Sequence, residues 1–297
     1  MTLTSPAPAD RSQKDAALDT TQPYAIRLPA VDGAPAVDVR VATPQGERPP
    51  GGWPVLVLLE GEAFFDTAAQ VAGRLLRRSA KTRVDAMMTA GVSLSGVADR
   101  VAAYAFTPGP QGQAPEPRGA ALLARLTTEV LPQLAALGAD LEQAVLMGHS
   151  MSGLFVLEAR AAGTPFARYV AISPSIWWNP AVVPAQPQSA NLLVAVGARE
   201  EMEGLPPAHL ARRMVSNARD LEARGASLRV LEDEDHGSTP YAALPAVLRF
   251  AAPYRGEVAR REKSPRAGRG GCSDQRAGRM RSTESFPSVV QPDLTAT

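Results

Sequence analysis

Short apolar runs alternating with helix-like stripes organise most of the chain. Residues 24–29 and 36–43 (Ala-Val-Asp-Val-Arg-Val-Ala-Thr) alternate apolar and polar positions at period two, which predicts an antiparallel hairpin. Pro49-Pro50-Gly51-Gly52 breaks the chain, and the run Pro54-Val-Leu-Val-Leu-Leu59 that follows lacks alternation, the mark of a strand buried on both faces. Residues 68–80 fit a helix and 87–94 a strand. Leu122, Leu126, Val130 and Leu134 form one stripe on a helix over about 120–137. Strands over 144–147, 169–172, 192–196 and 227–231 then alternate with helices over 153–162, 208–224 and 241–252. This order predicts an α/β fold, a mostly parallel central sheet with helices on both faces. Ligands and chemistry on such sheets gather at the carboxyl ends of the strands.

The polar stretch 1–21, with its Pro, Ala and Asp, reads as a flexible leader, and residues 22–254 as the folded domain. From Arg255 onward the chain turns basic and nearly free of apolar residues, as in Arg260-Arg261-Glu262-Lys263-Ser264-Pro265-Arg266. Such a segment buries too little surface to offset its ordering entropy, so 255–297 is expected to be a disordered tail. A formal net charge of +1 gives no global field to recruit nucleic acid or an anionic membrane. The single cysteine, Cys272, excludes a disulfide framework within the chain and any multi-cysteine metal site. No basic segment followed by an apolar core opens the chain, and no apolar run approaches the roughly 18–20 residues of a membrane span. The expectation is a cytoplasmic protein acting on a small molecule.

The chemistry centres on Ala144-Val-Leu-Met-Gly148-His149-Ser150-Met151-Ser152-Gly153. An apolar strand runs into a glycine-flanked serine and out into a helical pattern, the layout of a nucleophile elbow. Gly148 and Gly153 suit the close approach of strand and helix. Ser152 stands where the G-x-S-x-G pattern has glycine. A serine needs an adjacent base, and the chain holds three histidines. His149 points away from the serine at the turn, and His209 opens a polar helix. His236 lies in Asp233-Glu234-Asp235-His236-Gly237-Ser238, after strand 227–231 and before the last helix, where the base of a Ser–acid–His order belongs. The acid is expected after strand 192–196: Glu200 first, Glu201 as rival, and Asp233 or Asp235 if the sheet is shifted. An oxyanion hole needs two backbone N–H groups. Met151 supplies one, and the loop Leu59-Glu60-Gly61-Glu62-Ala63-Phe64-Phe65 the other, from Glu62 or, failing that, Gly61.

Taken together these segments resemble the branch of the α/β-hydrolase superfamily that includes esterase D-like enzymes and the enterobactin/salmochelin trilactone esterases. The likeness is carried by Val55-Leu-Val-Leu-Leu-Glu-Gly-Glu-Ala-Phe-Phe65, Glu129-Val-Leu-Pro132 and Gly148-His-Ser-Met-Ser-Gly-Leu-Phe155. It continues in Tyr169-Val-Ala-Ile-Ser-Pro-Ser-Ile-Trp-Trp178, Val196-Gly-Ala-Arg-Glu200 and Asp235-His-Gly-Ser238. The resemblance implies an α/β-hydrolase fold and the triad Ser150, Glu200 and His236. Two departures stand out. Alanines fill 103 and 105 before Thr107-Pro108, where the family carries Arg and Asp, with Arg100 as a substitute one turn back, and Glu60 replaces an aspartate. Arg100, Trp177 and Trp178 are the expected substrate-binding residues, the tryptophans as walls of an acyl or aryl pocket or as core. The expected activity is serine-dependent carboxylic ester hydrolysis through an acyl-enzyme, with trilactone siderophores as the sharper version and no metal or organic cofactor. The alternative is a catalytically silent α/β-hydrolase scaffold that binds a ligand or partner.

Overall fold

The structure, a computed structural model, describes residues 18–255 except 32, 96, 98, 111, 112 and 115. Most of the expected leader, and the tail from residue 256 onward, lie outside the described residues. Strands β1 (Leu18–Leu28) and β2 (Ala36–Pro44) form the expected antiparallel hairpin, with Ile26 opposite Val39 and Leu28 opposite Val37. The strand thus begins earlier than the alternation at 24–29 announces, and residues 18–21 belong to it rather than to a leader. Strand β3 (Trp53–Leu59) turns into helix α1 (Gly61–Leu76), which the short helix α2 (Ser79–Thr82) follows before strand β4 (Met88–Ser95). Helix α1 starts at Gly61, well before residue 68, because Glu60 alone makes the turn in the left-handed conformation. The buried face of α1 is Phe64, Phe65, Ala68, Ala69, Ala72 and Leu76.

A helix not evident in the sequence pattern, α3 (Arg100–Tyr104), follows, its first turn capped where the Asp99 carboxylate accepts the Ala102 N–H at 2.9 Å. The helix expected over 120–137 is α4 (Gly119–Arg125) and α5 (Leu131–Ala136), joined through a π-helical turn at Leu126–Val130. Pro132, without an N–H to donate, lies just past that widened turn. Strand β5 (Ala139–His149) starts well before residue 144, because Trp53 and Pro54 of β3 pair with Ala139 and Asp140 ahead of a register shift. The polar Asp140–Gln143 stretch hid this extension. Helix α6 (Met151–Ala161), strand β6 (Arg168–Ile172) and strand β7 (Leu192–Gly197) follow as expected. The helix expected over 208–224 divides into α7 (Pro207–Leu210) and α8 (Met214–Glu222), because Arg213 adopts φ 51°. Strand β8 (Ser227–Leu231) precedes α9 (Thr239–Ala242) and α10 (Leu244–Ala251).

The sheet of described strands runs β1-β2-β4-β3-β5-β6-β7-β8. Its first two pairings are antiparallel and the remainder parallel. Alternation along β3 explains its unbroken apolar run. Val55, Val57 and Leu59 join a core with Leu122, Leu126, Leu154 and Phe155, while Leu56 and Leu58 join Phe65, Ala68, Val247 and Leu248 on the other face. The fully covered strands therefore deliver their carboxyl-end loops to one rim on a rigid platform. No described helix is long and apolar enough to cross a membrane.

Candidate active site

Ser150 occupies the single position between β5 and α6, at φ 57° and ψ −116°. For a non-glycine residue such a backbone costs on the order of 1–3 kcal/mol and persists only when its surroundings enforce it. They do. A Cβ on Gly148 would lie 2.2 Å from the Ser152 carbonyl oxygen, and one on Gly153 2.9 Å from that of Ile172. The Ser150 N–H donates to Ile172 O at 3.0 Å, and its carbonyl accepts the Ser175 N–H at 3.0 Å. Strand β6 and the turn after it thus pin the elbow from the side.

The structure brings His236 to this serine. Its Nε2 lies 3.0 Å from Ser150 Oγ, and its Nδ1 lies 2.6 Å from Glu200 Oε2. Glu200 sits on the 3-10 turn Ala198–Glu201 that ends β7, buried, with Oε1 accepting Ser173 Oγ–H at 2.5 Å and the Gly197 N–H at 2.9 Å. Burial works against its ionisation, but the hydrogen bonds from His236, Ser173 and Gly197 outweigh it and hold the carboxyl below its ordinary range. An ionised Glu200 accepts from Nδ1–H, which leaves the Nε2 lone pair facing the serine hydroxyl. The other acids stand elsewhere. Glu201 turns to α8 and accepts from the Ser216 N–H and Oγ–H at 2.7 and 2.5 Å. Asp235 accepts the Gly237 and Ser238 N–H groups at 2.9 and 3.0 Å and so shapes the His236 loop. Asp233 has no place in this network.

His149 fills the space behind His236. Its Nε2 donates to the His236 carbonyl at 2.9 Å, and Phe64 packs edge-on to its ring. Burial first, then the neighbouring His236, push its pKa down to about 4, so the ring is neutral.

Two helices begin at the ends of the neighbouring strands β5 and β3. Met151 is the first residue of α6, and Gly61 and Glu62 are the first two of α1. The leading N–H groups of a helix have no acceptor within it. Leu58 pairs with Met147 across β3 and β5, which carries Glu60 and Gly61 alongside His149 and Ser150. A Cβ on Gly61 would lie 2.5 Å from the Gly91 carbonyl carbon, so only glycine allows α1 to start this close to β4. Glu62 sends its carboxylate to Arg100.

A cavity of about 570 Å³ opens over Ser150 and His236. Trp177 and Trp178 line it, as expected, on the 3-10 turn Ile176–Trp178. Trp178 is also core: its Nε1–H donates to Thr107 O at 3.2 Å, and a Cβ on Gly109 would lie 2.1 Å from its ring. Trp177 is half-buried, with the Arg212 guanidinium 5.2 Å from its ring centroid. Arg100 is not on the cavity wall. Its guanidinium is taken by Glu60 at 3.1 Å and by Glu62, and the neighbouring Val101 lines the wall instead. Arg199, His209 and Arg212 also border the cavity. Arg199 stands on the turn that ends β7, while His209 and Arg212 lie on the polar segment before the break at Arg213, which reads as surface in the sequence. Ser173 and Ser175 went unread as well, although both follow β6 within the Ser-Pro-Ser segment.

The fold and a family match together define an esterase of the α/β-hydrolase fold. A family model described as "Putative esterase" matches residues 35–234, and the chain belongs to that family. It is 29% identical over 214 residues to ferri-bacillibactin esterase BesA of Bacillus subtilis, covering 63% of this chain and 72% of that one. Apo-salmochelin esterase of Escherichia coli is 26% identical over 164 residues, with 51% of each chain covered. The chain thus spans about half the length of that relative. Among solved structures, the BES protein from Bacillus cereus superposes with a TM-score of 0.66 at 22% identity, covering 85% of this chain and 99% of its own.

Proposed function

We propose that this esterase works by serine nucleophilic catalysis, and the hydrogen-bonded relay Ser150–His236–Glu200 is the observation that carries the reading. Ser150 Oγ attacks the ester carbonyl carbon while His236 Nε2 takes its proton. Glu200 holds the imidazole in the tautomer that accepts it and stabilises the imidazolium. The oxyanion is bound by the Met151 N–H and by an N–H of the α1 start, Glu62 or Gly61. Each such donor contributes about 3–4 kcal/mol to lowering the barrier. The imidazolium protonates the leaving alcohol, and water admitted to the same base then hydrolyses the acyl-enzyme.

The pocket and the relatives support a reading of the substrate class. Aromatic walls from Trp177 and Trp178 and a rim carrying Arg199 and Arg212 suit bulky aryl-bearing esters with acidic groups. Trilactone siderophores are esters of that kind, and BesA and the apo-salmochelin esterase carry siderophore names. The test is hydrolysis of p-nitrophenyl esters from acetate to octanoate, and of iron-free and ferric trilactones, by wild type and Ser150→Ala. The reading requires turnover in wild type and a loss of about four to six orders of magnitude in the variant. Equal rates in the two proteins refute it.

A further inference from the structure

Glu60 makes the whole connection between β3 and α1, yet its side chain lies outside the cavity wall and away from the triad. It stands at φ 57° and ψ 47°. A non-glycine residue in this left-handed region costs roughly 1–2 kcal/mol. Its carboxylate is mostly buried and doubly used. Oε2 accepts from Ser152 Oγ at 3.0 Å, and Oε1 accepts from Arg100 at 3.1 Å. The Arg100 side chain is 44% exposed, so that ion pair adds little by itself. The Ser152 contact is different, because Ser152 has no exposure at all.

Ser152 is already woven into the elbow. Its Oγ accepts the His149 N–H at 2.8 Å and lies 2.8 Å from the His149 carbonyl. With one proton and two acceptors in reach, the hydroxyl favours the charged one, the Glu60 carboxylate. One buried hydroxyl therefore links the residue before the nucleophile to the residue before Gly61. Burial raises the Glu60 pKa, and the bonds from Ser152 and Arg100 oppose that rise. The hydroxyl is thus part of what keeps a carboxylate tolerable at this position.

We propose that the Glu60–Ser152 hydrogen bond is a positioning contact: it locks the start of α1 against the elbow and so presets the Gly61 and Glu62 N–H groups relative to that of Met151. This rests on the esterase reading above and deepens it. The oxyanion site is then assembled from two separate helix N-termini, and nothing else polar in the described structure bridges them side chain to side chain at the elbow. A shift of about 1 Å in such a donor costs on the order of a hundredfold in rate.

The experiment measures kcat and KM on p-nitrophenyl acetate for wild type, Glu60→Gln, Ser152→Ala and the double variant. Active sites are counted with a fluorophosphonate, and thermal midpoints report the fold separately. Each single variant is expected to lower kcat by about tenfold to a hundredfold while KM stays within about twofold. The double variant is expected to be no slower than the slower single one, since both remove one contact. Titrated kcat within about twofold of wild type in the single variants overturns the proposal, and so do losses that multiply in the double variant. Should Glu60→Gln fail to fold, Ser152→Ala decides by the same kcat criterion. Ser150→Ala is assayed first, so that failure of the esterase reading is told apart from failure of this one.

Discussion

His149 Nε2 lies 2.9 Å from the carbonyl oxygen of His236, and the two rings pack with centroids 4.6 Å apart. The residue before Ser150 thus supports the loop that carries His236. Its role depends on the ring staying neutral, and burial holds its pKa down to about 4. In the unfolded chain the same ring binds a proton below about pH 6.5. The folded state therefore binds fewer protons between those values, and stability falls as pH drops from about 6.5 toward 4, by at most about 3 kcal/mol. Denaturant unfolding between pH 6.5 and 5 reads this window. His149→Gln, which keeps an N–H donor and loses the titration, is expected to flatten the slope; an unchanged slope contradicts the assignment.

The strained elbow gives a second expectation. Ser150 at φ 57° adopts a backbone that glycine takes freely. Ser150→Gly and Ser150→Ala both lose the hydroxyl, but only the glycine relieves the strain. Ser150→Gly is expected to unfold higher by about 2–4 °C, equivalent to roughly 1 kcal/mol in a domain of this size. Equal midpoints would show that the elbow stores no strain.

Glu200 carries a third. Glu200→Gln keeps the shape but favours the wrong tautomer of His236, and kcat is expected to fall by about 10³–10⁴. Ser173 donates to the same carboxylate, so Ser173→Ala weakens its ionisation. The kcat profile should then lie about tenfold below wild type at neutral pH. A pH profile of Ser173→Ala that overlays wild type removes Ser173 from the relay.

The pocket wall supplies a fourth. Arg212 over Trp177 makes a flat aromatic and cationic surface beside the serine. Trp177→Ala is expected to raise KM for aryl esters by about fivefold to tenfold and to leave KM for acetate esters of aliphatic alcohols nearly unchanged. An equal rise for both classes points to general loosening of the site.

Much of this was legible in the sequence for identifiable reasons. Val55–Leu59 reads as a doubly covered strand because both its faces are covered by helices, and Gly148 and Gly153 bracket the elbow because no side chain fits there. Glu200 and His236 could be placed because each ends a strand next in the sheet order. What stayed hidden depends on contacts distant in sequence. The one-residue turn at Glu60 brings its carboxylate to Ser152 and Arg100, both distant from it in the sequence. Helix α3 rests on the Asp99 cap within a stretch rich in small residues, and Arg100 looked free for substrate until two glutamates were brought to it. Arg199 reaches the cavity from the turn that ends β7, and Arg212 from the polar segment just before the break at Arg213.

Ser150 is expected to form the covalent intermediate. Incubation with a fluorophosphonate followed by peptide mass spectrometry tests it directly, with His236→Ala as the companion protein. One adduct per chain is expected, on the peptide bearing Gly148-His149-Ser150, formed in parallel with loss of ester turnover and slowed by about 10³ or more in His236→Ala. An adduct on another serine, or full esterase activity after Ser150 is labelled, would contradict it.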